Sequence, residues 1–280
     1  DKETFTATYV VTCPETKKTA IIDSVLGVKP LHGTFFTSPS DVVLEYVEKE
    51  GLDVEYILET HAHADHITGA QYMKKLLGGV PKVAIGENIT LVQEVFKELF
   101  NLEDLATDGS QFDKLFKDGE TFTIGNLEVR VIYTPGHTPA CVSYYIENDA
   151  LFTGDTIFMP DMGSARCDFP KGSAETLYSS IQKLLQLPES VRVFVGHDYA
   201  PNDREFAWET TIHDELMFNK HVKSTIKEEE FVSMRKERDA SLEPPRLILP
   251  SLQINIRAGH MPPVENNGKA YFKIPINFSL

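Results

Sequence analysis

Thr60-His61-Ala62-His63-Ala64-Asp65-His66 puts three imidazoles and a carboxylate within six residues. Val54 to Leu58 before it is an apolar run with the character of a buried strand, and Ile67, Ala70, Met73 and Leu77 after it recur at helical spacing. The stretch therefore reads as a strand-to-helix turn. In extended chain His61 and His63 point to one side, because side chains alternate with period two, so both rings can reach one ion. Asp65 and His66 turn away as the helix begins, to serve a second ion or to hold the first set of ligands in place. A single histidine at a strand end is ordinarily packed or solvated, but three with a carboxylate make a metal site.

The same arrangement recurs along the chain. Leu127 to Ile132 runs straight into Thr134-Pro135-Gly136-His137-Thr138, Ala150 to Phe152 into Thr153-Gly154-Asp155, and Val191 to Val195 into Gly196-His197-Asp198-Tyr199. Four times a β-run ends and a candidate ligand follows at once: His61, His137, Asp155 and His197. Ligands just past the carboxyl ends of strands are how α/β scaffolds build sites. The neighbouring glycines and proline allow tight turns there.

The remaining pattern is plainer. Tyr9 to Val11 and Ala20 to Asp23 form an opening hairpin, Asp23 being structural. Ser40 is the expected N-cap of a helix over Asp41 to Glu50. Asn88 to Phe100 reads as an amphipathic helix and Leu102 to Gly119 as a polar surface loop. A helix from Ala174 to Leu187 starts at Ser173. Asp203 to Asp239 looks helical, with Lys227 to Asp239 a solvated face. Beyond Pro244-Pro245 the tail holds β-like runs at Leu252 to Ile256 and Ala270 to Ile274.

Composition bounds the function. Hydrophobic content of 41% and charged content of 25% are those of a soluble globular protein. A net charge of −15 argues against nucleic acid and anionic membranes, which need a basic face. An anionic substrate would therefore have to meet locally placed Arg or Lys. Cys13, Cys141 and Cys167 have no close pair, so no disulfide framework follows and a reducing, cytoplasmic home is expected. No apolar run approaches the ~18 residues of a membrane span. The chain opens at Asp1 without Met, which leaves a removed targeting segment open.

Taken together, the segments 60–66, Pro-Gly-His-Thr at 135–138, Gly-Asp at 154–155 and Gly-His at 196–197 resemble the metallo-β-lactamase superfamily over roughly Tyr9 to Tyr199. That resemblance implies an α/β fold, the αβ/βα sandwich of two mixed β-sheets flanked by helices. Residues 1–200 would form the catalytic domain and 201–280 a C-terminal helical or irregular extension packed on it. Within the superfamily, Ala165-Arg166-Cys167-Asp168-Phe169 with Gly172 looks like the Arg-x-Asp-Phe-x-x-Gly segment of persulfide dioxygenases, the sulfur dioxygenases related to the mitochondrial ethylmalonic-encephalopathy protein. Leu249 to Gly259 is similar to their bacterial branch with an extended carboxyl end.

The resemblance implies a single Fe(II) on His61, His137 and Asp155, with His63, Asp65, His66 and His197 orienting them. Glutathione persulfide would react with O₂ to give sulfite and glutathione. Glyoxalase II, a thiolester hydrolase, shares the seven ligands. In that alternative His61, His63 and His137 hold one ion, Asp65, His66 and His197 another, and Asp155 bridges two Zn or mixed Zn/Fe ions. A second alternative is a non-catalytic binder of sulfur ligands. By likeness to these families, Arg166, Tyr199 and, from the extended branch alone, Arg204 are the expected substrate anchors. Cys167 reads as a small packed residue, and a homodimer is left open.

Overall fold

Alternation in the central strands decides the layering. Ala20 and Ile22 point one way and Ile21 the other; Leu58 and Ala84 share the first side, Ile57, Val83 and Ile85 the second. Both sides are buried, so these strands carry apolar residues throughout and must be covered on two faces. The structure is a computed structural model and describes residues 1–276.

The first sheet comprises β1 (Tyr9–Thr12), β2 (Lys18–Ile22), β5 (Asp53–Leu58), β7 (Lys82–Gly86) and β8 (Lys114–Phe116), in that spatial order. The β1–β2 hairpin is antiparallel and the other pairings are parallel, as helical crossovers require. A small third sheet, not foreseen from sequence, joins β3 (Val25–Lys29) to β4 (Thr34–Phe36) and to the two-residue β6 (Ile67–Thr68). The second large sheet runs β14 (Glu209–Thr211), β13 (Arg192–Val195), β12 (Ala150–Gly154), β11 (Val142–Ile146), β10 (Leu127–Tyr133), β9 (Thr121–Ile124). It is antiparallel except for β12 against β13. Ala20, Ile22, Leu58 and Ala84 meet Val131, Val142, Tyr144 and Phe152 between the sheets.

Helices cover the outer faces. On the first sheet lie α1 (Ser38–Lys49), α2 (Ala70–Leu76), α3 (Ile89–Leu99) and α7 (Ile248–Asn255); Met73, Ile89, Phe96 and Leu252 pack on Ile57 and Val83. On the second lie α4 (Ala174–Leu184), α5 (Ile212–Phe218) and α6 (Glu228–Asp239), with Leu177, Ile181, Ile212 and Phe231 against Leu151 and Val193. This is the mixed α/β sandwich expected.

Several local expectations change. The 60–66 stretch does not enter a helix directly: β6 intervenes and α2 starts at Ala70. The first helix begins at Ser38, with Ser40 inside it donating to the Val25 carbonyl at 2.7 Å instead of capping. Leu102, Leu105, Phe112 and Phe116 of the presumed surface loop are buried, and β8 forms there. Ser173 does cap α4, accepting from the Thr176 amide. Leu252 to Ile256 is helix α7 and its C-cap, not strand. Residues 270–274 take no strand conformation, and the tail's last residues, 277–280, lie outside those described. In the charged block, Phe231, Arg235 and Asp239 are buried, the latter two paired one helical turn apart. No helix among the described residues is long and apolar enough to cross a membrane.

Glu215 on α5 is fully buried. Asn219 donates to it at 2.6 Å and also to the Gly163 carbonyl, tying α5 to the Met159–Ser164 turn. Desolvation raises its pKa from 4.5 to about 8. The unfolded chain ionises first, so the stability that Glu215 contributes is fully present below pH 4.5 and is lost as pH rises toward 8. Glu215→Gln is therefore expected to be more stable than the parent at pH 9, by on the order of 1–4 kcal/mol, with the gap closing toward pH 5. Urea denaturation at both pH values checks this.

Candidate metal centre

Strand ends and tight loops aim the ligands. β5 ends at Leu58 and delivers His61, His63, Asp65 and His66; β10, β12 and β13 deliver His137, Asp155 and His197. Two glycines are required. Gly136 has φ +142°, and a Cβ there would lie 2.4 Å from the Leu177 backbone, so glycine lets the His137 loop touch α4. A Cβ on Gly196 would fall 2.6 Å from Asp155 Oδ1.

Among the described residues three groups of metal-capable side chains meet here, two of them neighbouring each other at the cavity and a third setting His63 with Asp23 and Glu59. His61, His137 and Asp155 make one; His63, Asp65, His66 and His197 make the other; within each, one ligand atom per residue lies within 4.8 Å of all the rest. Asp155 faces both groups. Its Oδ2 is 4.0 Å from His61 Nε2 and 3.8 Å from His137 Nε2, while Oδ1 is 3.3 Å from His197 Nε2.

Hydrogen bonds fix which nitrogen is free. His137 Nδ1 lies 2.8 Å from the Arg166 carbonyl, which can only accept, so Nδ1 carries the proton and Nε2 keeps its lone pair. Thr60 Oγ1 donates to Asp23 Oδ2 at 2.8 Å, so it accepts from His61 Nδ1 at 3.0 Å, freeing His61 Nε2 likewise. Asp23 Oδ1 accepts from the Thr60 amide and from His63 Nε2 at 3.0 Å, leaving His63 Nδ1 as the lone-pair atom. Glu59, held by Thr68 at 2.5 Å, stands 3.5 Å from the same His63 Nε2.

The buried donors have no protein partner. His61 Nε2, His63 Nδ1, His66 Nε2, both His197 nitrogens and Asp155 Oδ1 are shielded from solvent and unbonded. Such atoms carry a desolvation cost unless a cation completes them. Burial, then the neighbouring imidazoles His63 and His137, push the His61 pKa well down, so it is a neutral ligand. Burial likewise lowers His137, against the pull of Asp155. The residues fit a resident metal ion. Cys141 joins none of these groups, and burial pushes its thiol up to about 12.

A cavity of about 520 Å³ opens over Asp65, His137 and Asp155. Phe158, Met162 and Phe169 give it apolar walls, and Tyr199 lies parallel to His197 at 6.0 Å. Burial, then Asp155 and Asp65, raise the Tyr199 pKa, so its phenol stays a donor. Arg166 lines the cavity too, clasping Asp168 through two 2.6 Å bonds. Arg204 does not. Asp161 and Asp198 hold its guanidinium away from the cavity, with contacts of 2.6–2.9 Å to their carboxylates, where it fixes the 198–207 loop. Cys167 is a packed thiol, pushed up to about 12 by burial.

Sequence reasoning missed Asn255, whose Nδ2 donates to the His63 and His66 carbonyls at 2.8 Å, and Thr6, 3.2 Å from His66 Nδ1. It also missed Arg235, Arg238 and Arg246 on the cavity wall. Arg235 and Arg238 lie in the charged block Lys227 to Asp239, where basic and acidic residues are mixed and nothing in the pattern marks a face turned toward a cavity.

An αβ/βα sandwich whose strand ends present histidines and aspartates to a buried ion defines a metal-dependent enzyme class. The chain belongs to the metallo-beta-lactamase superfamily, whose family model matches residues 1–197. It is 54% identical over 277 residues to "Glyoxylase B2" of Dictyostelium discoideum, covering 99% of this chain and 94% of that protein. It is 30% identical over 260 residues to "Persulfide dioxygenase ETHE1, mitochondrial" of Homo sapiens, covering 92% and 86%. The crystal structure of ETHE1 from Myxococcus xanthus superposes with a TM-score of 0.74 at 28% identity, covering 93% of this chain and 97% of that one.

Thr60→Val removes the hydroxyl that sets the His61 tautomer and supports Asp23. Metal affinity is expected to fall about 10–100-fold, read by chelator competition on protein whose fold is verified by circular dichroism.

Proposed function

We propose that the chain is a non-haem, mononuclear Fe(II) persulfide dioxygenase that oxidises glutathione persulfide. The reaction is GSSH + O₂ + H₂O → GSH + SO₃²⁻ + 2H⁺, in which the two sulfurs together lose four electrons to O₂. The observation that carries this reading is the grouping of His61, His137 and Asp155 apart from His63. Two imidazoles and one carboxylate are the facial set of non-haem iron oxygenases. Similarity to the human and Myxococcus xanthus ETHE1 proteins supports it.

Iron bound there supplies accessible redox change and open coordination positions, which zinc with its fixed oxidation state does not match. The chain's residues do the rest. Asp23, Thr60 and the Arg166 carbonyl hold the imidazoles in the ligating tautomer. Phe158, Met162 and Phe169 keep bulk water from the sulfur. The protonated Tyr199 phenol offers a hydrogen bond to a polar group of the bound thiol. A reducing cytoplasmic setting goes with the reading, since Cys13, Cys141 and Cys167 are free thiols.

A second reading, a binuclear thiolester hydrolase, has two observations in its favour. The name of the 54% identical Dictyostelium relative points toward it, and all seven donors are within reach of two ions. Metal analysis and turnover separate them. The dioxygenase predicts about one iron per chain and O₂ uptake with glutathione persulfide; about two ions and turnover of S-lactoylglutathione would replace it with the hydrolase. His66→Ala is expected to retain iron and measurable O₂ uptake under the first reading and to lose hydrolysis under the second. Loss of all iron from that variant contradicts the three-residue assignment.

A further inference from the structure

In a chain of net charge −15, four arginines line the same cavity: Arg166, Arg235, Arg238 and Arg246. Two are already committed. Arg166 is neutralised by Asp168 and also donates to the Glu243 carbonyl at 2.8 Å. Arg235, buried on α6, pairs with Asp239, donates to the Ser164 carbonyl, and has an Nε without a partner. Arg238 lies three residues further along α6, and Arg246 in the turn that follows Pro244-Pro245. Both are exposed, and neither makes an ion pair among the described residues.

We propose that Arg238 and Arg246 form a two-point carboxylate clamp that selects thiol substrates carrying two carboxylates. The proposal rests on the sulfur-substrate reading and names what holds the end remote from the metal. Glutathione persulfide has two such groups, one on its glutamyl and one on its glycyl residue. A guanidinium matches a carboxylate with paired donors, and its charge is permanent. The cavity's size, about 520 Å³, falls within the ~300–1,000 Å³ of small-molecule sites. His137 and Asp155 line the same cavity as Arg238 on α6 and Arg246 in the turn before α7, so a thiol held over the first pair has the second pair on the wall beside it. The negative charge of the rest of the chain would repel such a ligand, so unpaired cations at this one place also set where it enters.

The test is calorimetric titration of the iron-loaded full chain with S-methylglutathione, which keeps both carboxylates but has no persulfide. Arg238→Ala and Arg246→Ala are each expected to raise Kd about tenfold, the loss of one charge-assisted contact. With the diamide of S-methylglutathione the parent is expected to bind as weakly as the double variant, and the substitutions to cost nothing further. Unchanged Kd in both variants, equal losses on diacid and diamide, or no binding by the parent would each overturn the clamp. Arginine-dependent binding without O₂ uptake from the persulfide would leave the clamp standing and remove the dioxygenase reading. Normal uptake with arginine-independent binding would do the reverse.

Discussion

Asp23 is the interaction on which the centre depends. It sits at the end of β2 in the left-handed backbone region, φ 52°, 2% exposed. One carboxylate receives the Thr60 amide, the Thr60 hydroxyl and His63 Nε2. Desolvation would push its pKa up, but His63 and Thr60 overcome that and hold it low, so it remains ionised. Through Thr60 it sets the tautomer of His61, and directly that of His63. Two ligands of different groups thus take their orientation from one anion on a neighbouring strand.

Rigid placement then follows from the sheets. β5 and β2 lie side by side in parallel register, with Ile22 opposite Leu58, so Asp23 and the 59–66 loop leave the sheet at one edge. The second sheet brings Asp155 and His197 together through its lone parallel pairing, β12 against β13. Packing between the sheets joins the two halves, and the ion site lies across that seam. Side chains held by strand ends and buried hydrogen bonds have little freedom to rearrange when an ion binds.

The candidate ligands were legible in the sequence because each follows a β-run and stands beside glycine or another candidate ligand. The tail was not legible. In α7 seven of eight residues are buried, so no polar face marks a helical period, and its isoleucines mimic a strand. The inward turn of Arg235 is hidden in a charged block, since its pairing with Asp239 depends on α6 lying against the body of the protein. Arg204, expected as a substrate anchor from likeness to the extended branch alone, is held by two acidic side chains, one of them 43 residues away, a pairing that sequence order does not show. Family likeness indicates which residue types recur, whereas pairing geometry determines which charges are left over.

Asn255 carries one more consequence. Its amide closes on the His63 carbonyl across 192 residues of sequence and on the His66 carbonyl across 189. During synthesis the histidine loop emerges well before the group that braces it. The loop is therefore unbraced until that later segment has been made and has folded back onto it.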